Sequence, residues 1–259
     1  MITVELYGRT GNNMFQIAAA MCAAKRNGTS AHYIGDNSHI RGFKLKGLNQ
    51  ANRKAVHKFN ENMFSYDSSF EGIKNDTHLD GYFQSERYFS FAEDEVRKCF
   101  SFEHSVVDTA KNHDGGKYKR FFNGDTATAL HIRRTDYLKY PDIYPEFNGE
   151  YYNHCLSRIS EKGSILVFSD DLNWCQNNLR GHDFTFVDMA PLPSMYLMSN
   201  CKHIIMANST FSWWAAWLGK PDVVICPKNW FGKKWPHQDR HPSQSDCTKD
   251  LFPANWQFA

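Results

Sequence analysis

Hydrophobic positions along the chain fall into two alternating rhythms. Short apolar runs bounded by turn residues predict buried strands at Ile2 to Tyr7, Ala31 to Gly35, Ala127 to Ile132, Ile165 to Phe168, Phe184 to Val187, His203 to Met206 and Val223 to Cys226. Between them, apolar positions at helical spacing predict helices from about Met14 to Arg26, closed by Asn27 and Gly28, then Glu150 to Glu161, Leu172 to Leu179, about Ser194 to Asn200, and Phe211 to Leu218. Strands that alternate with helices need crossover connections, so the second half predicts a parallel, doubly wound α/β sheet. A similar strand, loop and helix open the chain, which suggests two related halves.

Elsewhere the pattern loosens. Residues 36–75 predict a loop-rich or helical excursion with no assignable site. Asp108 to Asp125, rich in Lys, Gly, Asn and Asp with no apolar period, reads as a linker and divides the chain into residues 1–122 and 123–259. The segment His78 to Phe89 mixes aromatic and hydrogen-bonding side chains, which suits stacking on sugar faces and equally suits a core.

A chain of 259 residues suits one large or two moderate α/β domains. Thirty basic against 28 acidic residues leave a net charge of +2, so no global field draws the chain to nucleic acid, and any anion site must be local. Lys228, Lys233 and Lys234 interleave with Trp230, Phe231 and Trp235, which we read as a solvated loop rather than a nucleic-acid surface. Seven cysteines form no Cys-x-x-Cys pair, so neither a disulfide framework nor a zinc knuckle is indicated, and a reducing, cytoplasmic setting is expected. The first residues read as a strand rather than a signal peptide, and the longest apolar helical run, Ile17 to Ala24, is far below the roughly 20 residues of a membrane span, so no stable membrane insertion is expected.

Three predicted strands end in polar clusters: Arg133 to Asp136, Ser169-Asp170-Asp171, and Asn208-Ser209-Thr210. In an open parallel sheet these ends share one edge, where ligands bind. Adjacent guanidiniums repel each other, so the Arg133-Arg134 pair calls for anions, either a phosphate gripped by two parallel hydrogen bonds or a salt-bridge cluster. Ser209 and Thr210 precede a helix, where hydroxyls and N–H groups cap it or hold a phosphate. Asp170 suits the exocyclic amine and ring N–H of a purine, while Asp171 suits the cap of the helix at Leu172. The tryptophans of Phe211 to Trp217 fall at helical spacing and predict helix-to-sheet packing, with Phe211 at the helix start free to edge a nucleotide. At the chain start, Gly8 to Asn13 form a turn with two glycines that reads as a phosphate cradle or as a tight turn with Asn12 as the helix cap.

The segments GRTGNNMFQIA, DGYFQSERYF, HIRRTDYL, FSDDLNWC, MYLMSNCKHIIMANSTFSWWAAWL, VICPKNWF and DLFPANWQ, in this order from about Ile2 to Trp256, resemble the alpha-1,2-fucosyltransferases. HIRRTDY and NSTFSWWAAWL are the specific ones. The resemblance implies two Rossmann-like domains facing a cleft (GT-B-like), GDP-fucose as donor, an oligosaccharide or polysaccharide acceptor such as a terminal β-galactoside, inversion at the anomeric carbon, and no metal or other cofactor. It further implies that Arg133 binds the β-phosphate, His131 touches the guanosine, Asp170 reads guanine, and Gly11, Asn12, Ser209, Thr210 and Phe211 surround the donor, while Arg134 and Asp136 hold the motif's shape or approach the reacting centre. Thr10 and Asn13 depart from the leucine and glutamine usual in that family.

The chemistry is consistent with that picture. Negative charge grows on the leaving diphosphate as a glycosyl bond breaks, and fixed cationic and N–H donors lower that barrier. Metal-using sugar transferases hold a divalent ion with an Asp-x-Asp triplet, which this chain lacks. The base that receives the acceptor proton is open: Asp136 leads, although pairing with Arg134 would weaken it, and Asp80 and Glu86 are alternatives. Use of another GDP-deoxysugar, or a non-catalytic glycan-binding role, are the competing functions.

Overall fold

The structure, a computed structural model, describes all residues from Met1 to Ala259. They form two compact units, Met1–Glu103 with Trp235–Pro253, and His104–Lys234 with Ala254–Ala259.

The first unit contains β1 (Ile2–Glu5), α1 (Thr10–Arg26), β2 (Ala31–Ile34), β3 (Leu48–Gln50), β4 (His57–Asn60), β5 (Thr77–Asp80) and α2 (Glu93–Cys99). Its sheet runs β3-β2-β1-β5-β4 with every pair parallel. Ile2 and Val4 on the central strand and Met14, Phe15, Ile17 and Ala18 on α1 are fully buried, so the helix seals one face of the sheet. The excursion expected over residues 36–75 supplies both edge strands. It lacks an apolar rhythm because β3 and β4 are largely exposed. Within the segment His78 to Phe89, Phe83, Tyr88 and Phe89 are core, and Tyr88 meets Phe70 and Phe83 edge to face.

The helix α1 begins four residues before the expected start. Gly8, at φ +83, makes the turn out of β1, and Arg9 is the N-cap. Gly11 and Asn12 therefore lie in the first helical turn, and Asn12 is not the cap. Asn13, with its shorter side chain, donates to the Tyr7 carbonyl at 3.1 Å and secures the turn.

In the second unit come α3 (His104–Asn112), α4 (Lys119–Phe122), β6 (Ala127–Ile132), α5 (Gly149–Ser157), β7 (Ser164–Ser169), α6 (Leu172–Asn178), β8 (Phe184–Phe186), α7 (Pro191–Ser199), β9 (His203–Ile205), α8 (Thr210–Gly219), β10 (Val223–Cys226) and β11 (Gln257–Phe258). Its sheet is parallel throughout, in the order β11-β10-β9-β6-β7-β8. β6 is buried along its whole length, which is why its sequence is mostly apolar up to the arginines, with Thr128 and His131 as its buried polar residues.

The division between units falls after Glu103, not between residues 122 and 123. The expected linker is helical and packs in the second unit: Val106 and Ala110, one helical turn apart, are buried, and the Phe122 ring stacks on Tyr196 of α7 at 5.3 Å. Residues Trp235–Pro253 return to the first unit, where the Phe64 amide donates to His241 Nε2 at 3.3 Å and Arg87 pairs with Asp250 at 2.7 Å. No single cut of the chain separates the two cores. No helix is long and apolar enough to cross a membrane.

Candidate functional site

Because β9, β6 and β7 are consecutive in the sheet, the three polar strand ends are brought side by side. Arg133 leaves β6, and its Nη1 lies 3.0 Å from Asp170 Oδ2, just beyond β7. Its Nη2 donates to Asp136 Oδ1. Asp170 Oδ1 accepts from the Arg134 amide at 2.9 Å, and Oδ2 also accepts from the Thr135 hydroxyl. The Asp170 carboxylate therefore organises the whole turn after β6.

Arg134 points the other way and is only 8% exposed. Its guanidinium covers the Trp174 ring at 3.9 Å, pairs with Glu146, and sets Nε 3.3 Å from Asp171 Oδ2. Asp171 also caps α6 by accepting from the Trp174 amide at 3.0 Å. The two guanidiniums thus stand among four carboxylates, so the anions that such a pair calls for include the protein's own. Arg134 is consumed by structure. Arg133, with five N–H donors and a side chain not fully covered, keeps capacity for a ligand.

Beside Arg133, His131 is buried and its Nδ1 lies 2.9 Å from the Ser212 hydroxyl. Burial, reinforced by the Arg133 charge and opposed by Asp170, holds its imidazole well below the usual range, at about 3. It is neutral at physiological pH. The Phe211 ring lies 5.6 Å from it. Ser209 Oγ accepts from the Phe211 amide at 3.3 Å and caps α8, so Ser209, Thr210 and Phe211 open a helix N-terminus at the same edge. The Tyr137 hydroxyl donates to the Asn208 carbonyl at 3.1 Å and its ring stacks on Tyr144 at 3.9 Å, which closes the loop after Asp136 onto the end of β9.

The profile of the family described as Glycosyl transferase family 11 matches residues 1–256. The chain belongs to glycosyl transferase family 11. It is 28% identical to an alpha-1,2-colitosyltransferase of Escherichia coli over 90% of this chain and 93% of that one. It is 25% identical to a galactoside alpha-(1,2)-fucosyltransferase 2 of Bos taurus over 86% of this chain and 70% of that one. Among solved structures, the fucosyltransferase NodZ from Bradyrhizobium superposes with a TM-score of 0.54 at 12% identity, covering 84% of this chain and 92% of that one. This likeness concerns the fold, two Rossmann-like domains of GT-B type.

In this family 11 glycosyltransferase, the sequence-derived residues His131, Arg133, Asp136, Asp170, Ser209, Thr210 and Phe211 converge at one sheet edge of the second unit, while Gly11 and Asn12 belong to the first unit. Asp136 pairs with Arg133 and not with Arg134, the partner considered for it in the sequence. Trp213, Trp214 and Trp217 are buried, as their helical spacing implied. Trp230 and Phe231 are also core, Trp235 is half-buried, and Lys228, Lys233 and Lys234 are exposed. Sequence reasoning missed Glu146, Trp174 and Ser212. Only Ser212 had a signal, its place one turn inside a helix whose start was already in the site.

Proposed function

We propose that the second unit binds a GDP-sugar by its strand-end cluster, and that the enzyme transfers a 6-deoxyhexose, L-fucose first, to a glycan hydroxyl with inversion. O2 of a terminal β-galactoside is the acceptor position we favour. The observation that carries this reading is that Arg133 follows β6 and the N-terminus of α8 follows β9, adjacent strands that share one carboxyl edge. Two donor types at one sheet edge suit a diphosphate whose charge grows as the glycosyl bond breaks.

Within this reading Arg133 meets the β-phosphate, and Ser209, Thr210 and the first N–H groups of α8 share the diphosphate. His131 and Phe211 flank the guanosine. Both Asp170 oxygens already accept from the arginine turn, so we assign it the aiming of Arg133 ahead of direct guanine reading. Leaving-group stabilisation by these groups requires no metal.

The names of the relatives support a deoxysugar donor and leave fucose and colitose as the competing cargoes. Incubation with a panel of GDP-sugars and galactose-terminated acceptors, read by mass spectrometry, tests the reading: GDP-fucose should give a product heavier by one deoxyhexose. Turnover only with GDP-colitose would change the donor, and GDP binding without any transfer would favour a glycan-binding role.

A further inference from the structure

At the start of α8 a buried hydroxyl stands between a backbone carbonyl and the histidine of the site. Ser212, one helical turn past the cap Ser209, is fully buried, and its Oγ donates to the Ser209 carbonyl at 3.2 Å. The same oxygen lies 2.9 Å from His131 Nδ1. A serine hydroxyl has a single proton to give. Spent on the Ser209 carbonyl, that proton leaves a lone pair toward the imidazole, and the contact with His131 is a hydrogen bond only if Nδ1 carries the hydrogen. Turning the proton toward Nδ1 instead would sacrifice the bond to the carbonyl and set the lone pairs of two buried oxygens against each other, so the arrangement that makes both bonds prevails.

A neutral imidazole has only one N–H, so a protonated Nδ1 makes Nε2 an acceptor. Nε2 has no partner in the protein and, unlike the unpaired Nδ1 of His203, is not fully buried. The edge around it is otherwise rich in donors. Arg133 and the first N–H groups of α8 suit phosphate, while Asp136, Asp170, Asp171 and Glu146 are tied to the two arginines. A nucleoside brings uncharged N–H and O–H donors of its own, and a neutral nitrogen takes one of these without repelling the diphosphate beside it.

We propose that Ser212 is a positioning residue that holds His131 as the Nδ1–H tautomer, so that Nε2 accepts from an uncharged N–H or O–H donor of the bound nucleoside. The acceptor role rests on the GDP-sugar reading above, whereas the tautomer belongs to the protein without nucleotide. Loss of the hydroxyl reverses the ring. With no acceptor for a buried Nδ1–H, the proton moves to Nε2, which then meets the nucleoside donor as a second donor.

Nitrogen NMR of isotope-labelled histidine reads the tautomer directly in the free wild-type protein at neutral pH, the His131 signals being those lost in His131→Gln. Nδ1 should be protonated and Nε2 bare. In Ser212→Ala the proton should lie on Nε2, and GDP should bind about tenfold more weakly. Made in a His131→Gln background, the same substitution should change GDP affinity by less than about twofold, whereas a loss arising only from the helix start would persist there. The 2′-deoxy and 3′-deoxy forms of GDP, inosine diphosphate and N1-methyl-GDP each lack one nucleoside donor. The analogue without the donor to Nε2 should bind wild type and Ser212→Ala within about twofold of each other, which tells a ribose hydroxyl from a guanine N–H. An Nε2-protonated His131 in the wild type, unchanged GDP affinity in Ser212→Ala, a loss undiminished in the His131→Gln background, or equal losses for all four analogues would each overturn the proposal. Failure of GDP to bind the wild type would sink the GDP-sugar reading and the acceptor role with it, and the spectrum of the free protein would still decide the tautomer.

Discussion

The Arg133 guanidinium and the Asp170 carboxylate, 3.0 Å apart, join the ends of two adjacent strands, β6 and β7. Asp170 also accepts from the Arg134 amide and the Thr135 hydroxyl, so a single carboxylate fixes both the path of the turn and the aim of its arginine. Asp170→Ala should weaken GDP binding by about 1–3 kcal/mol. Since Asp170 acts through Arg133, GDP and ADP should lose affinity together. Calorimetric titration with both nucleotides checks this; a loss confined to GDP would return Asp170 to the role of guanine reader.

Arg133→Ala should lower transfer by on the order of 3 kcal/mol in the transition state, because one fixed donor to the leaving group disappears. Arg133→Lys should recover little, since an ammonium cannot reproduce the planar fork. Steady-state rates with circular dichroism as a folding control decide it. Wild-type turnover in a folded Arg133→Ala protein is the outcome that removes Arg133 from the chemistry.

Asp171→Ala should act on stability. It removes the cap of α6, worth about 1 kcal/mol, and one partner of a guanidinium that is only 8% exposed. Thermal unfolding should show a lower Tm, with GDP affinity nearly intact. A larger loss of GDP affinity than in Asp170→Ala would mean that the roles of the two carboxylates are reversed.

Transfer should survive excess EDTA. The chain has no Asp-x-Asp triplet, and Asp170 and Asp171 are already engaged with arginine side chains and backbone amides. Loss of turnover in EDTA with recovery in manganese would require a metal and end the argument for leaving-group stabilisation by Arg133.

His131 makes stability depend on pH in a defined window. Its folded value of about 3 lies below the ordinary 6.5, so between these the unfolded chain binds a proton that the folded chain refuses. Stability should therefore fall as pH drops through that window and be insensitive to this residue above it. Urea unfolding of the wild type and His131→Gln at several pH values checks the point. Parallel acid sensitivity in the two proteins would place its origin elsewhere.

Most of the second sheet was legible because its central strands are buried and largely apolar; β6 and β10 begin and end where the sequence predicted, whereas the exposed strand β11 carries no apolar signal. The three polar strand ends were legible as well, since a parallel sheet places like ends on one edge. Less visible were β3 and β4, exposed edge strands with no apolar rhythm, and the helices α3 and α4, whose polar surfaces resemble a linker.

By itself the sequence determined the strand-helix alternation, the family, and the residue types that gather at the edge of the second sheet, because each depends on local periodicity or a contiguous motif. Tertiary structure alone decided which arginine is spent and which is available. Arg133 and Arg134 are neighbours in sequence, yet alternation along an extended chain sends one toward Asp170 and Asp136 and the other onto Trp174, Asp171 and Glu146. The same holds for Glu61, an unremarked residue in a featureless stretch until the parallel pairing of β4 with β5 sets it against the Tyr82 and Phe83 amides. Long-range pairing creates such contacts, and no local pattern records it.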